Sequence, residues 1–428
     1  MAPIYYDLSE QFLASGVRFK YYGIARTVME VGYELARSDV DVRFVVFSPG
    51  HGQFFEVSPR LGAASPTGIL DPGLPPEATP RRLRLHFRQR SVLRDALYPL
   101  VVAWIRRQNL NRWAHVPKDA VRPLSLDGKT LVSLGRPKMM ADYLLALAGR
   151  NEHPRFFPLL HDMIPLHEAV QRKGSRFSSK FADDNHLVIR HSAGLLANSA
   201  FTKSEIESFS AQGFLPALPP VTAVPLAHEL RPTDETVAVH PPEEPFLVCV
   251  GGQTGRKNLE CIVSAMMLLS EKGLEVPMLV LAGARRKRTE QYLNRPEFAP
   301  IRDRIQILIN PNQAELRALY EKALALVIPS RMEGWGLPLG EALWVGTPGL
   351  AASVPALQEV GGDLVRYFDP DAPAELAEQI DRLQSDPEDT QALRDRIAAA
   401  RDELRSWKDV AQDILRAVQA RLAAGTPD

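Results

Sequence analysis

The chain has 428 residues, 45% hydrophobic and 24% charged, the balance of a soluble globular protein with room for two or three domains. Lysine plus arginine and aspartate plus glutamate both total 51, so net charge favours no class of partner. No apolar run approaches 18 residues, which argues against a transmembrane helix, and the opening MAPIYYDLSEQF, with Asp7 and Glu10 and no apolar centre, does not read as a signal peptide.

In chain order, PIYYDLS predicts a strand, IARTVMEVGYELARS a helix and DVRFVVFS a second strand. A basic segment follows at 81–113. KTLVSLG (129–135), RFFPLLHD (155–162) and SAGLLANS (192–199) read as later strands. Proline and charge replace the pattern at RPTDETVAVHPPEEPF (231–246), which marks a join. Beyond it, PFLVCVGG (245–252) is a buried strand ending in glycines, and NLECIVSAMMLLSEKG (258–273) is a helix with a glycine stop. PMLVLAGA, RIQILIN, ALVIPS, TPGLAA and LVRYFD continue as strands with helical stretches between them. Residues 391–423 form a long helical tail with a break near Ser406. The alternation predicts α/β architecture with parallel sheets: a first domain over 1–235 with a basic insertion at about 75–120, a second over 236–405, and a terminal helix over 406–428. Cys249 and Cys261 have no metal or CxxC spacing, so reduced, buried thiols and a cytoplasmic setting are expected.

The densest chemistry lies in PSRMEGWGLPLGEALWVGTPGL (329–350). The strand ends at Ser330 and a helix starts near Pro338, because proline suits a first helical turn. Gly334 and Gly336 let the backbone approach a ligand. The helix start offers unpaired N–H groups and partial positive charge, a place for phosphate. Glu333 precedes the turn and Glu341 lies about one turn into the helix, so both can face the crevice at the carboxyl ends of the strands. Ionised carboxylates only accept hydrogen bonds, so two of them beside a phosphate site suit hydroxyl-rich rings flanking a diphosphate. A nucleoside diphosphate sugar has that form. In VGGQTGRKN (250–258), Gly252 helps open a turn, and Arg256 with Lys257 supply charge for a departing diphosphate. DVD (39–41) and DPD (369–371) match Asp-x-Asp only in turn-like polar settings, so no metal and no cofactor are expected.

This stretch resembles the signature of retaining glycosyltransferases of family four, which have the GT-B fold: Pro-Ser-x-x-Glu-Gly-Phe-Gly-Leu-Pro-x-x-Glu-Ala. Trp335 replaces the phenylalanine, and Gly340 stands where a larger residue is common. The likeness runs on through GTPGLAASVPALQEVGGDLVRYFDP, with Pro348, Glu359, Val360 and Gly361 in place, and Arg256-Lys257-Asn258 matches a further motif. An additional arginine that some members carry just after the first glycine of that motif is absent; Gly252 and Gln253 fill the region. HDMIPL (161–166), LLANSAFTKSEI (195–206), YYGIARTVMEV (21–31) and SWKDVAQDIL (406–415) are similar to segments of a mannosyltransferase-like branch. The resemblance implies two Rossmann-like domains facing a central cleft, with the terminal helix packing back toward the first. It implies that Glu341 holds ribose hydroxyls, that Glu333 contacts donor-sugar hydroxyls, and that His161 lies near that sugar. Gly23 would lie near the phosphates and Arg26 on the helix after it. Ser330, Gly334, Trp335, Gly336, Leu337 and Pro338 would surround the donor, with the base met by backbone near Asn310 and Pro311. Front-face displacement is the family's mechanism, with the leaving phosphate helping to deprotonate the acceptor.

The expected activity is therefore sugar transfer from a nucleoside diphosphate sugar, GDP-mannose first and a TDP- or GDP-linked deoxysugar such as rhamnose next. The acceptor would be a saccharide or lipid-linked saccharide in polysaccharide or lipopolysaccharide synthesis. Two readings of other classes stand beside it: an NAD-type oxidoreductase, whose glycine fingerprint is missing from YYDLSEQF, and a non-catalytic nucleotide-sugar-binding protein. Segment 81–113 holds nine arginines around ALYPLVVAWI. It reads as a plain insertion packed on the core, as a peripheral contact with the inner face of a membrane, or as a site for the phosphate of a lipid-linked acceptor. Nucleic acid is not expected, since aromatics are not interleaved with the arginines.

Overall fold

The structure, a computed structural model, describes residues 2–14, 23–65, 68–81, 92–171, 176–233, 235–238 and 241–425. Tyr21, Tyr22 and most of the arginine-rich run, 82–91, lie outside the described residues. Two compact units emerge, residues 1–224 with 408–428, and residues 225–407.

The first unit holds strands β1 (Ile4–Asp7), β2 (Val42–Ser48), β3 (Gln53–Val57), β4 (Arg60–Leu61), β5 (Leu70–Asp71), β6 (Val121–Leu124), β7 (Thr130–Ser133), β8 (Arg155–Leu160), β9 (Leu195–Ala197) and β10 (Val221–Ala223). Eight of them form one sheet in the order β10-β9-β8-β7-β1-β2-β3-β6, while β4 and β5 make a separate ribbon. Pairing is parallel up to β2; β3 then runs antiparallel to both β2 and β6. That antiparallel edge is absent from the sequence reading. QFFEV is short and VRPL contains a proline, which an edge strand tolerates because one side of it is unpaired. The core gathers around Tyr143, whose ring meets Phe47, Phe54 and Phe156 at 5.9, 5.0 and 6.0 Å.

The second unit contains β11 (Phe246–Val250), β12 (Met278–Gly283), β13 (Ile305–Ile309), β14 (Ala325–Ile328), β15 (Gly349–Ala352) and β16 (Val365–Phe368). All pair in parallel, in the order β13-β12-β11-β14-β15-β16. This is the doubly wound arrangement, and the order in which strands are added to the sheet reverses between β11 and β14. The strands read as apolar runs because the sheet is covered on both sides: ALVI and GLAA are buried throughout. A capping box starts helix Gln313–Lys322, with Asn312 Oδ1 accepting from Glu315 N–H at 2.8 Å and Glu315 Oε2 accepting from Asn312 N–H at 2.9 Å.

The proline-rich stretch taken as the join runs along the second unit instead. His228 Nε2 donates to Val360 O at 3.0 Å, Gln313 Nε2 to Arg231 O at 2.9 Å and Arg317 Nη1 to Leu230 O at 3.3 Å, which places 225–235 beyond the division. The helical tail breaks between Pro387–Ala399 and Trp407–Ala423. Trp407, fully buried, closes the second unit by donating Nε1–H to Glu229 O, while the helix from Lys408 onward belongs to the first.

Of segment 81–113, the described part beyond Arg81 is helix Val92–Trp113, whose carboxyl-terminal half packs on the first unit. Trp113 meets Phe12, His51 and Phe55 with ring centroids 4.6–5.8 Å apart, and Asn109 is buried. The segment is therefore a packed insertion at that end, and Leu100, Val101 and Trp104 are exposed nearer the other.

Asn258 ties the carboxyl-end loops of the second unit together. It adopts the left-handed conformation (φ 54°), and its Nδ2 donates to Pro329 O at 3.0 Å and Pro370 O at 2.8 Å. Asn258→Ala removes both bonds and strains the backbone, so it should cost about 2–4 kcal/mol. Asn258→Gly keeps the backbone relaxed and should cost roughly 1 kcal/mol less. Equal losses for the two in urea unfolding would mean that backbone conformation contributes nothing there.

A candidate sugar-nucleotide site

At the β11–β14 reversal the two loops flanking the crevice are bonded to each other. Gly251 (φ 75°) and Gly255 (φ 81°) turn the chain after β11 into the short 3₁₀ turn Gly255–Lys257. Arg331 N–H donates to Arg256 O at 2.9 Å, and Arg256 Nη1 to Met332 O at 2.6 Å. Arg331 also donates to Asn258 Oδ1 at 3.2 Å and pairs with Asp371, so the second aspartate of DPD holds an arginine. Gly252 packs closely: a Cβ there would stand 2.9 Å from Leu281 Cδ2, and that side chain would have to shift.

These bonds bring Glu333, Lys257 and Arg256 to one point. Lys257 Nζ lies 2.5 Å from Glu333 Oε1 and Arg256 Nη1 3.5 Å from Oε2. The Glu333 side chain is 12% exposed. Burial alone would raise its pKa. The Lys257 and Arg256 charges, with hydrogen bonds from Lys257 and Ser330, outweigh burial and hold the carboxyl below its ordinary value. Glu333 is thus an ionised acceptor beside two partly accessible cations.

Glu341 has a different setting. It is the fifth residue of helix Leu337–Trp344, is 4% exposed, and accepts from Tyr320 O–H at 3.0 Å. Thr347 Oγ1 donates to Tyr320 O at 2.6 Å, which fixes the residue that holds the carboxylate. Leu337 and Pro338 open the helix after Gly336, whose φ of 116° and a Cβ clash of 2.6 Å with Leu357 Cδ2 exclude other residues. Gly334, like Ser330, is buried. Trp335 is 4% exposed, its ring edge-on to His228 at 6.1 Å, and its Nε1 has no hydrogen-bond partner among the described residues. Gly340 is explained by the same neighbour: a Cβ would approach His228 Cα to 3.0 Å and Ala227 O to 3.3 Å. Asn310 follows the edge strand β13, exposed and left-handed (φ 53°), two strands from the crevice.

His161 and Gly23 belong to the first unit. His161 follows β8 and its Nε2–H donates to Leu134 O at 2.7 Å. Burial lowers its pKa to about 4, against the opposing effects of that bond and of the Glu10 carboxylate. The ring is neutral at pH 7, a poor general base but able to accept a hydroxyl hydrogen bond at Nδ1. Gly23 starts helix Gly23–Ala36 with φ 55° and is exposed. Arg26 is buried, 3.6 Å from Glu30 one turn on, in a helix-internal pair. Asp7 ties β1 to β7 by accepting from Ser9 N–H and Ser133 O–H, both at 2.8 Å.

Sequence reasoning missed Tyr320 and His228, and gave Asn258 as the end of a motif without its bridging role. Asn258 had a signal, since asparagine after a turn readily takes the left-handed region. The other two gave none, because their partners lie 21 and 132 residues away.

Two outcomes test this geometry. Tyr320→Phe removes a donor to a buried carboxylate and should lower stability by roughly 1.5–3 kcal/mol in urea unfolding. His161 has a folded pKa below its unfolded one, so its contribution is complete above pH 6.5 and is lost as pH falls toward 4. Between pH 7 and 4.5 that loss is about 2–3 kcal/mol, and His161→Gln should show a pH dependence shallower by this amount. Parallel curves for variant and wild type would contradict the buried neutral ring.

The family glycosyl transferases group 1 matches residues 231–401. The chain is 26% identical over 149 residues to the O-antigen chain mannosyltransferase RfbU of Salmonella typhimurium, covering 34% of this chain and 40% of that protein. It is 32% identical over 143 residues to the O-antigen chain mannosyltransferase B of Escherichia coli, 33% of this chain and 37% of that protein. The chain thus spans less than half the length of these curated relatives. Among solved structures, the sucrose-phosphate synthase of Thermosynechococcus elongatus superposes with a TM-score of 0.64 at 16% identity, over 99% of this chain and all of that one. The fold is GT-B, and residues 231–401 match the family glycosyl transferases group 1.

Proposed function

We propose that the protein transfers a hexose, mannose from GDP-mannose in the first place, to a saccharide or lipid-linked saccharide acceptor. The reading rests on one observation: a depressed-pKa carboxylate, Glu333, held against Lys257 and Arg256 at the reversal point of the second sheet. A bound diphosphate would draw on the two cations and the start of helix Leu337–Trp344. Glu333, ionised, would accept from sugar hydroxyls, and Glu341, braced by Tyr320, from the ribose. The glycosidic bond to the diphosphate breaks as the acceptor oxygen bonds to the same face of the sugar, and the acceptor proton passes to the departing phosphate. Configuration is retained. Two cations and a helix start suffice for the leaving charge, so the reading includes no metal. The O-antigen relatives support mannose and a polysaccharide acceptor. No helix among the described residues is long and apolar enough to cross a membrane. The exposed Leu100, Val101 and Trp104 support peripheral contact with the cytoplasmic face of one.

The test is a thermal-shift panel of GDP, UDP, TDP and NAD, followed by hydrolysis of GDP-mannose with EDTA present. GDP should give the largest shift, and slow hydrolysis separates an enzyme from an inert binder. Glu341→Ala should weaken nucleotide binding by about tenfold or more, whereas Glu333→Ala should mainly slow turnover. Wild-type behaviour of both variants would sink the assignment.

A further inference from the structure

The first unit contains a cavity of about 370 Å³ lined by none of the residues assigned to the donor. It lies between helix Val92–Trp113, helix Pro137–Ala148 and the turn after β2. Five cationic side chains line it, Arg81, Arg106, Arg136, Lys138 and Arg150, against one carboxylate, Asp142. Glu10 pairs with Arg136 at 2.5 Å and Glu152 with Arg150 at 2.9 Å, which still leaves positive charge in excess. Much of the remaining wall is apolar, with Phe47, Val102, Met139 and Leu145.

The cations are held in place by the fold. Arg106 Nε donates to Gly50 O at 3.0 Å. Buried Asn109 clamps the backbone of Arg81, accepting from its N–H at 2.6 Å and donating to its O at 3.1 Å. The turn itself is seated on the helix, since a Cβ at Gly50 would stand 2.9 Å from Leu110 N. The Arg81 guanidinium lies 5.5 Å over the Trp104 ring. Trp104, with Leu100 and Val101, carries an apolar surface out from the cavity to solvent, the three being 52%, 67% and 45% exposed.

Cations gathered against an apolar wall are matched by an anion that brings apolar surface with it. A free phosphate would satisfy the charge and leave the wall unfilled, and a zwitterion would carry its own cation into the cluster. The volume suits a phosphate group and the first carbons attached to it, with the exposed helix face for the rest of the chain. We propose that this cavity binds a phosphate or diphosphate borne on an apolar chain, either a membrane lipid or a lipid-linked saccharide. The site is built from the first unit alone and does not depend on the donor reading.

The experiment titrates the full chain by calorimetry with farnesyl diphosphate, dihexanoyl phosphatidic acid and inorganic diphosphate. At least one amphiphile should bind about tenfold or more tighter than inorganic diphosphate. Tighter binding of the prenyl diphosphate identifies a lipid-linked source, and equal or tighter binding of the phosphatidate a membrane lipid. Arg106→Ala and Lys138→Glu should each weaken the amphiphile by about tenfold or more. Their melting curves and GDP titrations, which report the fold and the other site, should match wild type. Inorganic diphosphate binding as tightly as both amphiphiles, no amphiphile binding at about 1 mM, or unchanged affinity in both variants would overturn the proposal.

Discussion

The contact that joins the carboxyl-end loops of the second unit is the one between Lys257 and Glu333, 2.5 Å apart across two loops that are 76 residues distant in sequence. A carboxylate as buried as Glu333 would be protonated more readily than in water. The lysine and Arg256 reverse that tendency and keep it charged. Neither loop could hold this arrangement alone. Asn258 bridges to Pro329 and Pro370, and the Arg331–Arg256 backbone bond fixes the register of one loop against the other. The sheet order supplies the reason that these loops meet, because β11 and β14 are neighbours whose crossovers leave in opposite directions.

The glycines in these loops do different work. Gly336 is required by a left-handed backbone and by Leu357 Cδ2, which stands 2.6 Å from the position a Cβ would take, so that helix Leu337–Trp344 can start at the crevice. Gly340 is a packing residue on that helix, present because the backbone at His228 comes within 3.0 Å of the position a Cβ would take. The departure from the larger residue expected there is thus a local compensation. His228 in turn is held from both sides, accepting from Arg405 N–H at Nδ1 and donating from Nε2 to Val360 O. Trp335 packs edge-on to the same ring, so one unusual glycine and one unusual tryptophan share a neighbour.

The first unit has its own polar network at the carboxyl ends of β1, β7 and β8. Asp7 joins β1 to β7, Glu10 pairs with Arg136, and His161 closes on Leu134. Most of these groups are satisfied within the unit, and burial keeps the histidine neutral. The cationic cavity is of another kind. Its charges stand in excess beside apolar side chains, and the helix that walls it carries apolar residues on to the surface.

Sequence alone determined the parallel strands of the second unit, the glycine-rich turns and the pair of loops with acids and bases at their tips. Those features are local: an apolar run of four to six residues, a glycine at a turn and a proline at a helix start each carry their meaning within a few positions. The antiparallel edge of the first sheet was not legible, since short strands with charge and proline give no periodic signal. Tertiary structure alone decided that Lys257 meets Glu333, that Glu341 is braced by Tyr320, that 225–235 follows the second unit, and that the basic segment walls a cavity. Each of those depends on contacts between residues tens to more than a hundred positions apart, which only the closing of the sheets brings within hydrogen-bonding range.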